Sequence, residues 1–383
     1  MEVIRYMELR GTPREMGEAH GEAWRDEIRD FIARRIDVAR DFVERHDPGR
    51  GLTREDVSGA GRLLVATHRD YDADIWSELE GIAVGADVGI ADLLACNGLT
   101  DVRDWLLLRA GSGLRGRERA APPEAGTDHG GCTAFVTSAT VSGGSPLLGQ
   151  TWDMHPDARH FLLVQRRRPD RGPGALALTT VGCLPLIGIN DHGVSVGTNN
   201  LVPTDARVGV SYLFTIARAF RERTAESAAA VIESTPRLSG HNFVLADTQA
   251  SLNIETTARR SMRTRVDSDA RGKGVFVHAN HYVSVELRPH ACTGIELPSS
   301  RWREEHLYEG FRAADRPLNP AICWDLLSDA TRGEGAVCNE DYDGVYGLAA
   351  TAATAVVDPA AGVLLACAGG ARLGRQERFA LDR

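Results

Sequence analysis

The sequence predicts an α+β protein built as a layered sandwich. Two observations carry this: helical periodicity fills the first third of the chain, and short strands separated by turn residues fill most of the rest. Between these textures, 110–131 is dense in Gly, Pro, Arg and Glu and reads as an exposed loop. Within the first third, 14–45 carries Ile28, Phe31, Ile32, Ile36, Val38 and Phe42 at near-helical spacing. A second pattern covers 54–84 with Leu63, Leu64, Tyr71, Ile75, Leu79 and Ile82, and a third covers 90–109. After the loop, strands are predicted at 133–138, 146–150, 161–166, 175–181, 186–190, 194–198, 242–247, 251–256 and 275–280. Helices interrupt them at 212–222, 224–234 and 302–309, and the tail returns to strand at 350–358 and 362–368.

With 383 residues, 43% hydrophobic and 25% charged, the composition is that of a globular chain. A formal charge of -9 argues against nucleic acid or an anionic membrane surface as the main partner. No apolar run is long enough for a transmembrane helix, and the first residues lack a secretory h-region, so the expected location is cytoplasmic. The seven cysteines are odd in number, scattered and free of any CxxC pair, which indicates neither a disulfide framework nor a zinc ribbon.

The densest signal is Asp128-His129-Gly130-Gly131-Cys132-Thr133-Ala134-Phe135, followed by Gly149-Gln150-Thr151-Trp152-Asp153. Glycines ahead of Cys132 allow a strained backbone that a side chain would forbid, and the β-prone run behind it fixes where the thiol points. Three further motifs follow in order: Gly188-Ile189-Asn190-Asp191-His192-Gly193-Val194-Ser195-Val196-Gly197-Thr198-Asn199-Asn200, Asn242-Phe243-Val244-Leu245-Ala246-Asp247, and Ser299-Ser300-Arg301.

These motifs, with Gly11-Thr12-Pro13-Arg14-Glu15-Met16-Gly17-Glu18-Ala19-His20-Gly21 near the start and Thr354-Ala355-Val356-Val357-Asp358 near the end, resemble the acyl-coenzyme A:6-aminopenicillanic acid acyltransferase family of N-terminal-nucleophile hydrolases. The chain is similar, more distantly, to the bile-salt hydrolase and penicillin V acylase group. The resemblance implies a four-layer αββα sandwich. It also implies a precursor that cuts itself between Gly131 and Cys132, leaving a helical segment 1–131 and a catalytic domain 132–383 associated as a heterodimer. The implied activity is hydrolysis or acyl transfer at the amide of a small molecule, or from an acyl thioester, without cofactor.

In that reading Cys132 is the nucleophile, and its freed α-amine, with a reference pKa of about 7.7–8.0, is the base. Asp153 orients both, as a third group orients a base in other triads. Asn199 or Asn200 and Asn242 supply oxyanion-hole amides, and Arg301 sits near the nucleophile. Trp152, Asn200, Asn280 and His281 line the substrate pocket. The bile-salt group usually has arginine where Gln150 stands here. The His278-Ala279-Asn280-His281 run invites a metal reading, but i and i+3 point to opposite faces of a strand and no HExxH-type partner accompanies it, so no metal is expected. Two other readings stay open. One is a papain-type thiol hydrolase pairing Cys132 with His281 or His192; the other is an unprocessed, non-catalytic member acting as a binding protein or scaffold.

Overall fold

The computed structural model describes residues 3–109, 131–266, 274–292, 295, 298–340 and 349–382. Apart from Gly131, the predicted loop at 110–131 lies outside the described residues, as do Asp128 and His129.

The chain opens with a strand that the sequence reading missed, β1 (Arg5–Gly11), followed by α1 (Pro13–Ala23), α2 (Arg25–His46), α3 (Arg54–Tyr71), α4 (Ala73–Ala86), α5 (Ile90–Asn97) and α6 (Leu99–Arg109). Each of the three predicted helical stretches is a pair, broken where capping chemistry favours a restart. Asp72 accepts the Ile75 N–H at the start of α4, and Gly98 ends α5. Next come β2 (Thr133–Thr137), β3 (Leu148–Met154), β4 (Leu162–Pro169), β5 (Ala175–Thr180), β6 (Ile187–Asn190) and β7 (Ser195–Leu201). The remainder is α7 (Tyr212–Ala219), α8 (Ala225–Ser234), β8 (Gly240–Ala246), β9 (Ser251–Thr256), β10 (Ser261–Arg265), β11 (Val275–His278), α9 (Pro298–Ala313), α10 (Pro320–Leu327), β12 (Ala350–Asp358), β13 (Val363–Ala368) and β14 (Glu377–Ala380).

The strands form two sheets, ordered β1-β4-β5-β6-β7-β8-β9-β10 and β11-β2-β3-β12-β13-β14. Strands β2 and β3 pack against β7 and β8, so the sheets lie face to face over a shared apolar core. Helix α8 covers the outer face of the first sheet at β8 and β9, and α9 and α10 cover the second at β11, β3 and β12. The result is a four-layer αββα sandwich with the N-terminal helices packed beside it.

The N-terminal segment is not a separate body. β1 pairs in parallel with β4 and is the edge strand of the eight-stranded sheet. His20, fully buried on α1, accepts the Gly182 N–H at 2.9 Å, and Asn97 on α5 accepts the Leu184 N–H at 2.9 Å. Both clasp the turn between β5 and β6.

The early glycine motif has a packing cause. Helices α1 and α4 lie so close that a Cβ at Gly17 would stand 2.1 Å from the Glu78 carbonyl oxygen, and one at Gly85 2.4 Å from that of Glu18. Backbone on both sides cannot yield as a side chain can. Gly17→Ala is therefore expected to destabilise the protein by about 1–3 kcal/mol, read as a lower denaturant midpoint at unchanged slope.

Candidate active site

Cys132 directly precedes β2, whose Thr133 pairs with Thr151 of β3, so the register sets Gly131 and Cys132 beside Trp152 and Asp153. Asp153 is buried at the end of β3. Its Oδ2 accepts the Gly131 N–H at 3.0 Å, and its Oδ1 accepts the Thr351 hydroxyl of β12 at 2.8 Å. The Cys132 thiol lies 3.6 Å from the Asp153 carbonyl oxygen. Burial and the Asp153 carboxyl push that thiol up to about 12, against the pull of a nearby guanidinium. Burial also raises Asp153 to about 7, again opposed by the same arginine.

That arginine is Arg303, not Arg301. It is fully buried and donates to the Cys132 carbonyl at 2.7 Å, the Thr133 hydroxyl at 3.0 Å and Asn280 Oδ1 at 3.2 Å. Arg301 is exposed. The expectation that Arg301 lies near the nucleophile fails on helical phase. Ser300, Arg303, Glu304 and Leu307 follow the 3,4 spacing of one α9 face and are buried, while Arg301 turns outward. The 3,4 spacing of Ser300, Arg303, Glu304 and Leu307 was the available signal.

Asn199 and Asn242 are directly opposed across β7 and β8, and Asn242 Nδ2 donates to Asn199 Oδ1 at 3.3 Å. This leaves the buried Asn199 Nδ2 and Asn242 Oδ1 without partners. Whichever way the two amides are turned, one NH₂ stays free to donate. Their face is the inner one, because Gly197, two residues before Asn199, abuts Gln150 and Leu148 of the other sheet. Asn200 pairs with His241 on the opposite face, where His241 stacks on Tyr212 with ring centroids 4.5 Å apart. Of the two candidates, Asn199 is thus the one that shares a face with Asn242. Asn199→Ala is expected to cut kcat by about 10²–10³-fold and Asn200→Ala much less, measured by steady-state kinetics.

The row continues across the sheet, since Asn242 is opposite Glu255 of β9. Glu255 was missed in the sequence, being one carboxylate among many. It is buried and accepts from His278 Nε2 at 2.9 Å and from the Val283 and Ser284 N–H groups at 2.7 Å each. His281 is held by the Ser300 hydroxyl at 2.8 Å and the Glu304 carboxylate at 2.9 Å. The expected separation of His278 and His281 on opposite strand faces does not hold, because β11 ends at His278 and the rings lie 6.4 Å apart. Each ring is nonetheless engaged by a carboxylate, and among the described residues no group of three His, Cys, Asp or Glu could hold a metal.

Asn280 links the two halves of the site. It accepts from Arg303, and its Nδ2 donates to the Asn200 carbonyl at 3.1 Å. Gln150 bridges the sheets by donating to the Thr198 carbonyl and accepting the Thr198 N–H. Trp152 is buried in the core between the sheets, and His192 is exposed in the turn before β7.

An αββα sandwich with a buried cysteine heading an inner strand, a carboxyl beside it and a free amide donor on the facing sheet defines the class of site. Residues 140–373 match the family described as acyl-coenzyme A:6-aminopenicillanic acid acyl-transferase, and the chain belongs to that family. The matched stretch includes Asp153, Asn199, Asn242 and Arg303 and begins eight positions after Cys132. The chain is 24% identical, over 312 residues, to the 40 kDa form of acyl-coenzyme A:6-aminopenicillanic-acid-acyltransferase from Emericella nidulans, covering 80% of this chain and 78% of that one. Among solved structures it is similar to penicillin V acylase from Agrobacterium tumefaciens (12% identity, 62% of this chain and 83% of that one, TM-score 0.40). A variant of the conjugated bile acid hydrolase from Clostridium perfringens is at a comparable distance (11% identity, 66% and 97%, TM-score 0.41). Among the described residues, no helix is long and apolar enough to cross a membrane.

Proposed function

We propose that this protein is a self-processing cysteine amidohydrolase or acyltransferase acting on an amide of a small molecule. The observation that carries the reading is the Gly131–Cys132–Asp153 arrangement, in which the carboxyl grips the backbone on the amino side of the thiol. In the first step the Cys132 sulfur attacks the Gly131 carbonyl carbon. A carbon–sulfur bond forms, the Gly131–Cys132 peptide bond breaks, and the Cys132 nitrogen takes up a proton. Water then resolves the thioester. With a thiol near 12 this step is slow until the proton is taken.

Cleavage supplies an α-amine beside the same thiol. It serves as base toward incoming substrate, so one residue is nucleophile and base together. Asp153, released from the Gly131 N–H, accepts from that amine. The free amide of the Asn199–Asn242 pair stabilises the oxyanion, and Arg303 fixes the Cys132 carbonyl. Whether the acyl group passes to water or to an amine depends on water exclusion at the thioester. The 1–131 fragment stays bound in this reading, because β1, His20 and Asn97 tie it to the body. The test is a denatured mass spectrum of freshly purified protein. Two fragments, the larger beginning at Cys132, support the reading, and a single 41.4 kDa species stable for days overturns it.

A further inference from the structure

Arg35 on α2 is 1% exposed, yet among the described residues no carboxylate pairs with it. Its guanidinium donates to the Cys96 carbonyl at 2.8 Å, lies 3.9 Å from the Cys183 sulfur, and sits 4.5 Å over the Phe31 ring. The Tyr212 hydroxyl is also within its reach, and its Nε has no partner. His155, two residues beyond Asp153, is 8% exposed, packs against Phe31 and has an unpartnered Nε2. A buried cation without an anion is costly, and removing it from water is offset only when a counter-charge arrives.

The cluster stands at the Cys132 end of the sandwich. His155 follows the end of β3, and Cys183 follows the end of β5. That end of β5 lies beside the start of β6, toward which β7 runs to Asn199. Tyr212 lies within electrostatic range of both Arg35 and Cys132.

We infer that Arg35, with His155 and the Tyr212 hydroxyl, forms a subsite for a carboxylate carried by the substrate. The inference rests on the proposed activity only for where the substrate's amide lies. The planar guanidinium suits a carboxylate, which accepts from two of its N–H groups at once. Burial pushes the Cys183 thiol up, but the Cys96 hydrogen bond and Arg35 together hold it down at about 6. An arriving carboxylate competes with that sulfur for the guanidinium, because its two oxygens accept at once.

The test uses two matched pairs on the processed enzyme. Adipoyl mono-4-nitroanilide against its terminal amide places the carboxylate on the acyl side. Hexanoyl-4-aminobenzoate against hexanoyl-4-aminobenzamide places it on the amine side. Wild type is expected to prefer the carboxylate member of one pair by at least about tenfold in kcat/KM, which also tells the two sides apart. Arg35→Met is expected to abolish that preference while leaving hexanoyl-4-nitroanilide turnover within about threefold. His155→Asp, which supplies a resident carboxylate and so does not depend on tolerating a lost charge, is expected to abolish it too. No preference in wild type, or one that survives both variants, overturns the subsite and leaves the activity standing. If none of the compounds is cleaved, the activity reading fails. The subsite is then read from melting: adipate must raise the wild-type Tm more than adipamide does, and the absence of that difference overturns it.

Discussion

Cys132→Ala yields one uncut 41.4 kDa chain with no detectable turnover of any amide or acyl thioester. The expected loss is total because the residue has two roles in sequence. Without the sulfur no thioester forms at Gly131, so no α-amine is released, and without either group the later acyl transfer has no nucleophile and no base. The fold should survive. Cys132 is buried in the core cluster, where deleting one sulfur costs about 1–2 kcal/mol, well below what a sandwich of this size tolerates. Denatured mass spectrometry and circular dichroism check the two halves of this prediction. A cleaved or active Cys132→Ala protein moves the nucleophile elsewhere, and an unfolded one makes the cysteine structural. Cys132→Ser is the informative companion. The hydroxyl keeps the geometry but is a weaker nucleophile, so slow cutting over days is expected where alanine gives none.

The sequence made the sandwich legible because its strands are short, β-branched and bounded by turn residues. Ser251–Thr256 and Ala350–Asp358 fall where the pattern put them. β1 escaped because Arg5–Gly11 is a short edge strand in which only Leu9 is fully buried, and its partner β4 lies more than 150 positions away. α10 escaped because its 8 residues are too few to show a period. That Cys132 and Asp153 lie together could be read because glycine context and strand pairing are local. Arg301 was named in place of Arg303 because a motif read as a string ignores helical phase, and two positions along α9 turn a side chain from the core to solvent. The Asn199 and Asn200 choice needed the cross-strand partner, which only the β7–β8 register supplies. Glu255 and Thr351 were illegible for the same reason, since each meets the site through a contact across strands far apart in the chain.

Asp153→Asn is expected to abolish function and stabilise the fold at the same time. Asparagine keeps the local bonds: its oxygen accepts the Gly131 N–H, and its NH₂ donates to the Thr351 hydroxyl, which turns to accept. What disappears is the charge. In the unfolded chain the carboxyl titrates at 3.8, whereas burial raises it to about 7 in the fold despite Arg303. Between those values the native state holds a proton that the unfolded state has released. Stability is therefore lost as pH rises from 3.8 toward 7, and the full penalty, about 4 kcal/mol, is present above 7. The neutral amide does not incur it. In a Cys132→Ala background, where both chains are uncut, Asp153→Asn should match the parent in Tm at pH 4 and exceed it at pH 8, with the gap opening in between. With Cys132 restored, the same substitution should slow turnover by about 10²–10⁴-fold, because the amine and thiol lose the acceptor that orients them. A variant that is inactive but no more stable at pH 8 would mean that the carboxylate is already compensated by Arg303. A stabilised variant with undiminished turnover would remove Asp153 from the chemistry. The site is thus a place where the fold tolerates an unfavourable charge, and that tolerance is what makes the carboxylate available to the amine that cleavage sets free.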